Sequence, residues 1–189
     1  MARPMQNEHA AMVVDTSLPD SALTREQIIE RNSKVVDAHF HNENPESVEL
    51  AIALYADNIS WEAPVRGIVM TDTAEILNAY RGIFRSVVYH STTPIRRFAT
   101  ETFVFDDQVS VATLVSDEMP NVPFPVGTRM SVRLTHVFQM KDGKIEREVA
   151  YEMFRAVGAA NDHDFIPEGC ETIHFPEGDA TVARLLGKN

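Results

Sequence analysis

The chain has 189 residues, 44% of them hydrophobic and 24% charged, which suits one soluble domain of ordinary size with short extensions. Its formal net charge of -11 argues against nucleic acid and anionic membrane surfaces as partners, because phosphate binding needs clustered Lys and Arg. No apolar run approaches the roughly 20 residues of a membrane span. The first residues lack a signal-peptide core, and the single cysteine, Cys170, allows no internal disulfide, so a reducing cytoplasm is the expected compartment.

Residues 1–22 are polar, carry Pro4 and Pro19, and read as a mobile arm. Ser21 or Thr24 caps a first helix whose apolar face holds Ile28, Ile29, Val35, Val36 and Phe40. Asn32 and His39 fall in the middle of that face, and Asp37 falls opposite. Asn44-Pro45-Glu46-Ser47 breaks the chain and opens a second helix over 45–55. Ile59 to Ala63 reads as a short strand stopped by Pro64. Thr71-Asp72-Thr73, with Glu75 behind it, is a capping signal that opens a third helix carrying Ile76, Leu77, Tyr80, Ile83, Phe84 and Val87 at helical spacing.

After Tyr89-His90 the apolar period changes to two, and strands are expected near 95–105, 109–118, 129–140 and 144–154. Asp106-Asp107 and Lys141-Asp142-Gly143 read as hairpin turns, and the proline-rich 119–127 segment as a longer connection. Residues 156–189 read as loop followed by a short helix over 179–186, covering the pocket, a subunit contact or plain surface. The order predicts an α+β fold: three N-terminal helices packed on a curved, mainly antiparallel sheet. It forms one domain over 23–155, between the arm and a C-terminal extension over 156–189.

Candidate chemistry concentrates on histidine. On the strand Met130, Val132, Leu134, His136, Phe138, Met140, every second residue is apolar except His136, which therefore points into an apolar space. Asn32 and His39, set in an apolar helix face, need partners or a cavity. His90 sits at a helix-to-strand junction, where residues often rim pockets. On the last strand either the face of Glu148 and Glu152 or that of Tyr151 looks inward. Trp61, Met130, Leu134 and Phe138 supply apolar contact for a substrate, and Glu152 is a further substrate-binding candidate. No Gly-rich phosphate loop or Gly-x-Ser-x-Gly elbow occurs, so no nucleotide cofactor is expected. No metal is expected either. His39-Phe40-His41 diverges on a helix, and Asp162-His163-Asp164 lies in a loop.

Two segments carry a resemblance. The run from Leu54 to Pro64 resembles the helix-2-to-strand-1 segment of the SnoaL-like, nuclear-transport-factor-2-like superfamily, and Val137 to Ile145 resembles its late hairpin. The similarity covers residues 24–155. It implies a cone-shaped α+β barrel and relatives such as ketosteroid isomerase, scytalone dehydratase, polyketide cyclases and a diarylpropane lyase. Ala63 stands where the isomerase has its general base. His136 aligns with the isomerase's oxyanion-hole aspartate, Tyr55 with a supporting tyrosine, and His90 with the histidine of the dehydratase dyads. His39 aligns near a pocket tyrosine. The resemblance implies a cofactor-free lyase, dehydratase or isomerase, with His90, His136, Tyr55 and His39 facing the pocket, acting on a small apolar or aromatic substrate. The rival reading is a binding or assembly domain without turnover. A homodimer is expected, because open sheets of this kind bury their outer face against a copy.

Overall fold

A computed structural model describes residues 10–187. Helix α1 (Arg25–Asn42) starts where the sequence predicts. Thr24 Oγ1 accepts from the Gln27 amide at 3.3 Å, and the Gln27 side chain accepts from the Thr24 amide at 2.8 Å. The second helix is shorter than expected. Asn44 and Ser47 form a turn, α2 covers only Val48–Ile52, and Tyr55 already belongs to strand β1 (Tyr55–Ala63). Pro64–Arg66 is a single 3-10 turn, followed by the unforeseen strand β2 (Ile68–Met70) and helix α3 (Thr73–Ser86), capped by Asp72.

Four long strands follow: β3 (Val87–Ala99), β4 (Phe103–Leu114), β5 (Arg129–Lys141) and β6 (Lys144–Ala156). The expected turn at Asp106-Asp107 is wrong. The chain reverses at Thr100 to Thr102, where the Thr100 hydroxyl accepts from the Phe103 amide at 2.9 Å. Asp106 and Asp107 are buried in mid-strand because arginines reach both: Arg97 Nε donates to Asp106 at 2.7 Å, and Arg133 Nε to Asp107 at 2.5 Å. The second turn is as expected. Asp142 and Gly143 have φ of 48° and 72°, the left-handed pair that a two-residue hairpin requires.

With a short last strand, β7 (Ile173–His174), the sheet order is β2-β1-β6-β5-β4-β3-β7, with β1 parallel to β6 and the other pairs antiparallel. It is curved and unclosed, with α1, α2 and α3 on its concave side. Register sorts the faces. Phe138 sits opposite Glu148 and Val104, His136 opposite Ala150 and Asp106, and Leu134 opposite Glu152 and Gln108. The glutamate face of β6 is therefore the inward one, while Tyr151 and Met153 are 42% and 41% exposed on the outside. The main core joins Val35, Val36, Ile59, Trp61, Ile76, Tyr80, Val104 and Phe138. A second cluster, around Leu114, Met130 and Val132, is covered by Val122 and Phe124 of the proline-rich connection.

Both extensions lie against the domain. Residues 1–9 of the expected arm fall outside the described residues. From residue 10 the chain is fastened: Asn42 clamps the Met12 backbone through bonds of 3.1 and 2.8 Å, and Met12 and Val14 pack on the core. In the C-terminal extension, β7 (Ile173–His174) pairs with β3, and helix α4 (Gly178–Leu185) packs on the same strand.

Candidate active site

His39, Tyr55 and Glu148 meet at the centre of the concave side, joined by two residues that the sequence did not single out, Glu43 and Tyr80. His39 is fully buried on α1. Its Nδ1 donates to the Ala51 carbonyl at 3.3 Å, which turns Nε2 toward four oxygens: Glu43 at 2.9 Å, Glu148 and Tyr80 at 3.3 Å, and Tyr55 at 3.4 Å. Tyr55 donates to Glu148 at 2.5 Å, and Tyr80 to Glu43 at 3.1 Å. Tyr80 read as one more apolar position of α3. The available signal was that Glu43 lies one helical turn after His39.

Charge follows from this geometry. Burial alone would lower the His39 pKa, but the Glu148 and Glu43 carboxylates overcome it and push it up to about 10. Burial likewise acts to raise Glu148, and the His39 cation prevails and holds it below the usual carboxylate range. The Tyr55 and Tyr80 hydroxyls are pushed well up, first by burial and then by the Glu148 charge, so both keep their protons. Three ligand atoms from His39, Glu43 and Glu148 lie within 4.8 Å of one another and could hold a cation, although the hydrogen bonds above already engage all three.

His136 lies on the other side of an aromatic block. Its ring stacks on Phe138 at 5.7 Å and meets the edge of Phe40 at 5.1 Å, while His39 contacts the same two rings at 5.8 Å each. His136 is 7% exposed, and its Nδ1 is buried without a hydrogen-bond partner. Glu148 and Glu152 flank Ala150, the residue directly across β6 from His136. Glu152 is itself held by Arg66, which donates from Nε at 2.5 Å and Nη2 at 3.0 Å. Leu134, Met130 and Phe138 share the His136 face, and Leu134 is partly exposed. Trp61 is buried between the Tyr80 ring at 6.3 Å and the Arg66 guanidinium at 5.8 Å.

Two expected site residues lie elsewhere. Asn32 ties α1 to the β3–β4 turn, donating to the Thr100 and Glu101 carbonyls at 3.1 and 3.0 Å. His90 points to the outer face of the sheet. It bonds Thr113 Oγ1 at 2.8 Å, and Thr113 lies an odd number of residues from the inward Asp106 on β4. Helix α4 covers His90, with Asp179 at 3.2 Å. A regular alternation counted back from β4 could not locate it, because the β3–β4 register shifts between Tyr89 and Ser91. In the Asp162-His163-Asp164 run, Asp164 turns to Arg133 and Arg155 instead of toward His163.

The family model for the SnoaL-like domain matches residues 36–148, which span α1 to β6 and include every member of the His39 cluster. The chain belongs to the SnoaL-like domain family. No curated protein matches it. Among solved structures, this SnoaL-like chain is similar to a protein taken to be a polyketide cyclase from Xanthomonas campestris pv. campestris. That pair has a TM-score of 0.53 and 18% identity, over 66% of this chain and 91% of the other. An LEH-like epoxide hydrolase from M. tuberculosis has a TM-score of 0.51 and 16% identity, over 66% and 84%. A protein taken to be a ketosteroid isomerase from Kribbella flavida has a TM-score of 0.51 and 14% identity, over 75% and 93%. At these identities the likeness establishes the nuclear-transport-factor-2-like fold. Among the described residues no helix is long and apolar enough to cross a membrane.

Proposed function

We propose that this SnoaL-like chain is a cofactor-independent enzyme that moves a proton on a small, largely apolar, aromatic or polycyclic hydroxylated substrate. The reaction is a lyase, dehydratase or isomerase step, and the same groups would serve carbon–carbon cleavage of an aromatic diol. The observation that supports this reading is the unpaired, buried Nδ1 of His136, set against the Phe40 and Phe138 rings. A buried polar atom without a partner costs about 1–3 kcal/mol, and a ligand that bonds to it recovers that cost.

His136 takes the proton. Glu148 attracts the imidazolium so formed, and the same attraction acts on the Glu148 carboxylate. Glu148 stays ionised because His39 stays charged, so His39 is a positioning cation and not the base. Tyr55 and Tyr80 keep their hydroxyl protons and donate hydrogen bonds to Glu148 and Glu43, which holds the two carboxylates in place around His39. Phe138, Leu134, Met130 and Trp61 exclude water. The protein acts as a cytoplasmic homodimer, paired through the outer face where Phe98, Phe103, Tyr151 and Met153 are exposed.

The second reading, a binding domain without turnover, has one observation in its favour. Ala63 is fully buried and brings no proton acceptor to the end of β1. Turnover screens on aromatic alcohols and enones, with a pH–rate profile on any hit, separate the two. An enzyme loses the activity with His136→Ala and keeps it with His90→Ala. Saturable binding of the panel without any turnover contradicts the enzyme.

A further inference from the structure

An open concavity of about 370 Å³ lies between α3, β2 and the proline-rich connection, with walls from Trp61, Met70, Ala79, Ile83, Arg66 and Asn121. Neither Tyr80 nor His136 lines it. The volume falls at the lower end of small-molecule sites, roughly 300–1,000 Å³.

Its polar wall has a defined chemistry. Arg66 is 4% exposed and carries five N–H donors. Three of them are engaged, two by Glu152 and one, at 3.4 Å, by the Pro120 carbonyl. Glu152 cancels the guanidinium charge, so the remaining N–H groups are donors without net attraction for an anion. Glu75 also lines the opening and adds repulsion. Asn121 holds the turn in place by donating to the Arg66 carbonyl at 2.8 Å, at a left-handed φ of 60°. The opposite wall is aromatic and aliphatic.

We propose that this cavity binds a neutral aromatic molecule bearing an oxygen acceptor, with its ring against Trp61 and its oxygen on Arg66. The cavity shares Trp61 with the proposed site but not His136, and binding there is read without turnover, so the two readings fail separately.

Trp61 is the only tryptophan, so its emission reports directly on the cavity. Phenol, anisole and benzoate present the same ring with neutral or anionic oxygen. Titrated into the full chain, phenol and anisole should change Trp61 emission saturably. Benzoate should bind at least tenfold more weakly. Ala79→Phe, which fills the cavity from a partly exposed helix position, should abolish the response at unchanged helicity, with Ile83→Phe as a second blocking variant. His136→Ala should leave it intact. Benzoate binding as tightly as phenol, no saturation with either neutral probe, or undiminished binding in both blocking variants would overturn the proposal.

Discussion

His39 has four oxygens around one nitrogen, and that crowding sets its charge. Its pKa stands at about 10 against an ordinary 6.5, so its stabilising contribution is complete below about 6.5 and is lost as the pH rises through 10. Glu148 runs the other way. Its contribution is present above the ordinary 4.5 and is lost as the pH falls below that. Melting temperatures between pH 6 and 10.5 should therefore decline on the alkaline side, and His39→Gln should flatten that limb. A wild-type limb already flat would refute the assigned charge. Glu148→Gln leaves the cation without its inner partner and should cost about 3–5 kcal/mol in denaturant unfolding. His136→Phe has the opposite signature. It keeps the ring contacts with Phe40 and Phe138 and removes the unpaired nitrogen, so the melting temperature should hold or rise while turnover is lost. A clear fall in melting temperature would mean that His136 makes bonds of its own in the fold.

At the scale of elements, the outer covering of β3 rests on one close approach. A Cβ added at Gly178 would lie 2.7 Å from His90 Nδ1 and 2.8 Å from the Tyr89 carbonyl, so α4 can dock only because that residue is glycine. Gly178→Ala should detach α4 and expose the C-terminal extension to limited proteolysis, with turnover retained; an extension as resistant as wild type would show that docking does not depend on this contact. Burial lowers the His90 pKa, Arg129 adds to that, and Asp179 opposes it. His90 therefore supports docking above its ordinary 6.5, and that support is lost as the pH falls, so the extension should become more protease-sensitive in acid.

The same scale explains what the sequence could and could not reveal. Capping residues and the 3.6-residue period placed α1 and α3, because those signals are local. The Lys141-Asp142-Gly143 turn was legible for the same reason. Asp106-Asp107 looked like a turn because buried carboxylates are rare, and only the pairing of β3 with β4 and β5 brings Arg97 and Arg133 to them. His136 was legible from alternation along its own strand. The inward face of β6 was not, since Glu148 becomes a core residue only through His39, far back in the chain on α1.

Across the whole molecule, an acidic chain keeps its charged site groups on one concave face and leaves aromatic side chains on the other. Phe98 is 60% exposed and Phe103 46%, on the face where Tyr151 and Met153 also emerge. Sedimentation should find a dimer that Tyr151→Lys with Met153→Glu converts to monomer; a monomeric wild type would remove the assembly from the account. The proposed chemistry uses no cofactor. Dialysis against a chelator should leave both turnover and melting temperature unchanged, and loss of either would turn attention to a cation held by His39, Glu43 and Glu148.

In the proposed reaction His136, and not His90, moves the proton. Steady-state turnover on the most reactive aromatic alcohol or enone, measured for wild type, His136→Ala and His90→Ala at equal folded concentration, tests it directly. Turnover should fall about 10²–10⁴-fold for His136→Ala and not at all for His90→Ala. Turnover that survives His136→Ala would contradict it.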